Sequence, residues 1–160
     1  MEKEQLPMWI EQFMDKIHNH LLKLPDSPDQ ILTILKGHLL VEQEVNSLLE
    51  VTVPYPKALK IRDKNGPKFA HKLLLLKALI PKPEPVPDLW NVVKKLNDLR
   101  NDLAHKLSPE NVEGNIDKFT TYVFKVFRLP KSFLKKNRLE RLRLSILLIV
   151  HRLTCLINIK

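Results

Sequence analysis

The chain has 160 residues, 44% of them hydrophobic and 28% charged. That suffices for one buried core and excludes both the composition of a disordered chain and the overall apolarity of a membrane protein. Lys and Arg outnumber Asp and Glu by 27 to 18, a net charge of +9.

The basic excess is uneven. Residues 1–50 carry 4 basic against 9 acidic side chains, residues 51–100 carry 11 against 4, and residues 101–160 carry 12 against 5. A basic later two thirds suits a polyanionic partner such as nucleic acid, although clustered Lys and Arg also solubilise unrelated proteins. The one cysteine, Cys155, cannot form an internal disulfide; in its apolar stretch it reads as a buried, inert thiol of a reducing compartment.

The opening residues, MEKEQLPMWIEQF, are acidic and amphipathic and lack the basic start and apolar run of a secretory signal, so a cytoplasmic location is expected. Trp9, Ile10, Phe13, Ile17, Leu21 and Leu24 recur at helical spacing and predict a first helix that stops at Pro25 and Pro28. Ser27 or Asp29 then caps a second helix, from about residue 29 to 51. On its stripe of Ile31, Leu35, His38, Glu42, Val45 and Leu49 two polar side chains interrupt the apolar series. A carboxylate at Glu42 needs a partner, with Arg100 or His105 the natural candidates, unless it lies at the edge of the stripe and reaches water. His38 reads as a packed, hydrogen-bonded core residue.

VTVPYPKALKIRDKNGPKF holds three prolines and an Asn-Gly pair and reads as a long irregular connection. A short helix over about residues 68–79 follows. PKPEPVPD then supplies four prolines and ends at Asp88, a plausible cap for a fourth helix over about residues 88–106. Leu89, Val92, Val93, Leu96, Leu99 and Leu103 form the buried stripe of that helix. Ser108 is a candidate cap for a fifth helix carrying Ile116, Phe119, Val123, Phe124 and Phe127, with Pro109 at the tolerated first position, Gly114 as a weak point and Pro130 beyond its end. A C-terminal helix is expected over about residues 132–158, basic at first and then apolar. Its apolar run is short of the roughly 20 residues a bilayer requires and contains His151 and Arg152, so a core or oligomer-interface helix is expected rather than a membrane span. The fold class is therefore all-α, a bundle of about five to six helices in a single domain spanning residues 1–160.

The fourth helix carries LNDLRNDLAHKL. On an ideal helix Arg100 and His105 point about 140° apart, so they do not share a face. Asn101 and His105 are an i,i+4 pair, in which the amide can fix the imidazole tautomer. Arg100 and His105 reach one cleft only if the helix ends near His105 or a second copy of it lies opposite. Asp98 and Asp102 flank the motif, either orienting Arg100 or facing solvent.

RNDLAH in this helical setting resembles the HEPN domains, whose signature is arginine, four to six residues, then histidine, often with asparagine directly after the arginine. The resemblance plausibly covers residues 30–128. It implies a helical bundle, commonly a homodimer, in which two motifs meet as a metal-independent endoribonuclease, often within toxin–antitoxin or phage-defence systems. Arg100, His105 and Asn101 would then be the catalytic set, supported by Glu42 from a neighbouring helix. The partners implied are RNA, a second copy and an antitoxin or regulatory protein. Some members of the wider group, such as the mannitol-repressor-like proteins, look non-catalytic, which keeps an interaction module as the alternative. In the subgroup silenced by nucleotidyl transfer a tyrosine stands two residues after the histidine, where this chain has Leu107.

The chemistry needs no cofactor, because RNA supplies its own 2′-hydroxyl nucleophile. His18 and His20 cannot share a helical face and have no third ligand in zinc spacing, so no metal site is expected. Lys57, Lys60, Arg62, Lys64 and Lys68, and later Lys131, Lys135, Lys136, Arg138, Arg141 and Arg143, are candidates for holding an RNA backbone, or are simply solvated faces. Three glycines leave little material for a phosphate loop or a nucleophile elbow, and a helix-turn-helix spacing is missing.

Overall fold

A computed structural model describes Met8, residues 23–105 and residues 110–159. Among the described residues the chain forms α1 (Gln30–Thr52), α2 (Pro56–Leu59), α3 (Phe69–Leu79), α4 (Leu89–His105), α5 (Glu110–Val126), a 3-10 helix (Lys131–Lys135) and α6 (Arg138–Ile159), with no strand. The expected all-helical bundle is what the chain adopts. The helix expected before Pro25 and the caps expected at Ser108 and Pro109 fall outside the described residues, apart from Leu24, which is buried in the core.

Asp29 starts α1 by accepting the Leu32 amide on Oδ1 at 3.0 Å, so one of the unpaired donors of the first turn is satisfied. Thr33 Oγ1 donates to the Asp29 carbonyl at 2.8 Å. α1 and α6 run side by side in the same direction: Arg143 donates to the Pro25 and Ser27 carbonyls, Gly37 meets Ile146, and Thr154 Oγ1 donates to Glu44. Ile34, Val41, Val45 and Leu48 on α1 and Leu142, Ile146, Ile149 and Leu153 on α6 are fully buried. α6 is long and apolar enough to cross a membrane, yet 61% of its apolar window is buried inside the bundle, as befits a central core helix.

The proline-rich connections are more structured than the sequence suggests. Pro56 occupies the first turn of α2, where its missing N–H costs nothing, and the helix stops one turn later at Lys60, whose φ of 50° is left-handed. The loop before α4 is tied down from both sides. Arg152 Nη2 donates to the Glu84 carbonyl at 2.7 Å, and Trp90 Nε1 donates to the Ile80 carbonyl at 2.6 Å. Asp88 precedes α4 as expected, but its carboxylate accepts from the Asn91 amide and the Tyr122 hydroxyl. Those side-chain donors tie the start of α4 to α5. Further along, Asn115 Nδ2 donates to Asp102, so α4 and α5 form an antiparallel hairpin.

α5 continues through Gly114, where an added methyl group would meet open space. The C-terminal helix begins at Arg138, later than expected. Asn137 Oδ1 accepts the Glu140 amide at 2.9 Å, and Glu140 Oε2 accepts the Asn137 amide at 3.3 Å. This reciprocal cap separates α6 from the 3-10 turn that holds the preceding lysines. Cys155 is half-buried, with Sγ 3.5 Å from His151 Nε2.

Candidate functional site

α4 is amphipathic because Leu89, Val92, Val93, Leu96 and Leu99 recur on one side and are buried, while Leu103 packs partly buried at the edge. That packing sets the rotation of the helix and so the direction of its polar residues. Arg100 and His105 are exposed and Asn101 is half-buried. His105 is the last described residue of α4.

Arg100 Nη1 donates to Asn101 Oδ1 at 3.1 Å. The amide oxygen expected to orient His105 is therefore engaged with the guanidinium, which spends one of its five N–H donors and keeps the others. Among the described residues no side chain hydrogen-bonds to His105. Asp98 pairs with Lys94 at 2.7 Å, and Asp102 accepts from Asn115.

Glu42 does not pair with the motif. Its Oε1 lies 3.4 Å from Lys72 Nζ on α3. The Lys72 side chain is 6% exposed against 32% for Glu42, so the more buried ammonium takes the carboxylate as its counter-charge. His38 is buried as expected, with Nε2 and Asn97 Oδ1 3.0 Å apart. Because the amide oxygen can only accept, Nε2 carries the proton. The Phe69 ring stands 4.7 Å from the imidazole, centre to centre. Burial holds the His38 pKa below its ordinary value; the Asn97 hydrogen bond and the Glu42 charge oppose the shift, and the Arg100 cation adds to it. His38 is thus a neutral spacer between Arg100 and the core. Asn97 and Lys72 were not picked out from the sequence. Asn97 does lie one turn before Asn101, and Lys72 is the one charge inside FAHKLLLL.

The basic residues divide into exposed lysines, of which Lys136 stands 6.0 Å over the Phe133 ring, and arginines paired with carboxylates. Lys57, Lys60, Lys64, Lys135 and Lys136 are exposed. Arg62 forms two bonds to the Glu50 carboxylate, at 2.7 and 2.9 Å, and a third to Ser47. Arg138 is held by Asp117 at 3.0 Å and by Glu113 at 3.1 Å, and Arg141 shares Asp117. Guanidiniums already paired with carboxylates are poorer phosphate ligands, so the exposed lysines remain the stronger candidates for an RNA backbone. Lys57 and Lys60 border a cleft of about 460 Å³ together with Glu50 and Asp63.

Two clefts adjoin α4. One, of about 160 Å³, lies against α5 between Lys95, Asp102 and Lys118. The other, of about 360 Å³, lies against α3, with Leu73, Leu74 and Trp90 as its floor and Lys94 and Asn97 at its side. Among the described residues no three His, Cys, Asp or Glu side chains are placed to hold a metal ion. Comparison of the chain with family models, with curated proteins and with solved structures finds no match.

Proposed function

We propose that the chain is an endoribonuclease of the HEPN type that works as a homodimer, with Arg100 and His105 of two copies meeting over one phosphodiester. The observation that carries this reading is a solvent-facing guanidinium steadied by Asn101 and, five residues further along α4, an exposed imidazole. The His105 imidazole can take the 2′-hydroxyl proton as O2′ attacks phosphorus. Arg100 stabilises the charge that grows on the non-bridging oxygens. The P–O5′ bond breaks, and a second imidazole, from the other copy, protonates the leaving oxygen. The products are a 2′,3′-cyclic phosphate and a 5′-hydroxyl. The exposed lysines supply backbone contacts with little sequence preference and steep salt dependence. A toxin–antitoxin or phage-defence role in the cytoplasm fits this activity, with an antitoxin as the regulatory partner.

A second reading has its own support. Ile31, Leu35 and Leu39, one turn apart along α1, are 46%, 39% and 58% exposed. An apolar stripe of this kind suits a protein-interaction module that performs no chemistry. Incubating the purified chain with RNA in EDTA separates the two. The nuclease reading expects fragments ending in 2′,3′-cyclic phosphate from the wild type and their loss in His105→Ala and Arg100→Ala; identical traces from all three proteins favour the interaction module.

A further inference from the structure

The cleft between α3 and α4 continues the motif face of α4. At 100° per residue, Lys94, Asn97, Asn101 and His105 fall within an arc of about 80°. The face of α4 that borders the cleft therefore also carries Asn101 and His105. The cleft is lined by apolar side chains: Leu73 and Trp90 close the floor and Leu74 is 65% exposed. Its rim is polar, with Lys77 on α3 and, on α4, Asn97 and the ion pair of Lys94 with Asp98. His38 occupies Asn97 Oδ1, which fixes the amide and leaves its Nδ2 group to donate. An apolar lining, a fixed amide donor and the Lys77 ammonium match an unpaired nucleobase and a phosphate beside it. The cleft volume of about 360 Å³ lies in the usual range for small ligands, about 300–1,000 Å³.

We propose that this cleft is a base-binding subsite, taking one unpaired base of the RNA whose scissile phosphate lies at Arg100 and His105. The proposal rests on the nuclease reading for its register. Asn97 and His105 are eight residues apart, about 12 Å along the axis, which is three to four stacked nucleotides at about 3.4 Å each. The bound base thus selects which bond is cut, a few nucleotides from itself, although the motif makes no base contact. Its place on the α3 side makes Leu74 a specificity residue and leaves the chemistry to α4.

The test uses the full chain, isotopically labelled, with a ten-nucleotide single-stranded RNA and separately with adenosine 5′-monophosphate, followed through the Leu74 methyl and Asn97 side-chain amide signals. Both ligands are expected to move those signals. Leu74→Asp, at an exposed position that leaves the core intact, is expected to weaken RNA binding about tenfold, the scale of one base's stacking, and to blur the choice of cleaved bond, while Leu74→Phe retains both. RNA that is cleaved without moving these signals, and with equal affinity for Leu74→Asp, overturns the subsite and leaves the nuclease standing. Signals that move on RNA no variant cleaves keep the base site and remove the nuclease. Signals that move on raising the protein concentration alone assign the cleft to a second copy and overturn the proposal.

Discussion

His38 gains nothing from a charge. It lies inside the bundle with its proton given to Asn97, and the groups around it are Glu42 on its own helix, Lys72 on α3 and Arg100 on α4. Its folded pKa is depressed, by burial first, so between that value and the ordinary one of about 6.5 the unfolded chain binds a proton that the folded chain refuses. Stability is therefore whole above about pH 6.5 and is lost as pH falls through the folded pKa. Denaturant unfolding at pH 7.5 and pH 5 is expected to show a larger loss for the wild type than for His38→Gln, which keeps a donor near Asn97 and cannot titrate. Equal losses would mean that His38 is solvated and not the neutral spacer described. The same neighbourhood explains Glu42. Its place on the stripe was legible from helical phase, but its partner was not, because only tertiary packing brings the Lys72 ammonium beneath it.

α1 and α6 approach closely where Gly37 faces Ile146. A methyl group at Gly37 would overlap the Ile146 Cδ1 and stand 3.0 Å from its Cγ1 and Cγ2. Ile146 is fully buried among core side chains, so making room for the methyl group means repacking the interior. Gly→Ala gains about 1 kcal/mol of helix propensity, whereas overpacking costs about 1–3 kcal/mol, so the net effect is destabilising. Gly37→Ala is expected to lower the melting temperature, whereas Gly114→Ala, in open space on α5, is expected to raise it by the propensity term alone. A melting temperature unchanged or raised by Gly37→Ala would show that the two helices shift apart freely. Element boundaries were legible where a local signal acts alone, as at Asp29 and in the leucine stripe of α4. They were not where two signals compete: the lysines of residues 131–136 read as the first turns of the last helix, although the NRLE cap, Asn137 to Glu140, lies just beyond them. Pro56 likewise hid α2, because a proline that breaks a helix interior is tolerated at its start.

Rotation of α4 governs the molecule as a whole. The buried leucines fix that rotation, and with it the divergence of Arg100 and His105 by about 140°, already readable from the spacing of RNDLAH. Arg100 lies on the α1 side, within electrostatic reach of His38, and His105 is exposed five residues further along α4. One copy presents a cation and a base to different parts of the surface; in the proposed dimer, a two-fold axis beside the motif would bring two of each to one phosphate. If the proposed nuclease is built this way, activity per chain must depend on concentration, because a lone chain holds only half of a site. Cleavage rate divided by chain concentration is expected to stay constant while sedimentation shows dimers and to fall in proportion to the dimer fraction on dilution. Raising the salt should lower RNA affinity at every dilution without moving that transition, since phosphate contacts and the apolar association of two copies respond to salt differently. Constant activity per chain through the range in which only monomers sediment would mean that Arg100 and His105 of one copy act together, and would overturn the composite two-copy site.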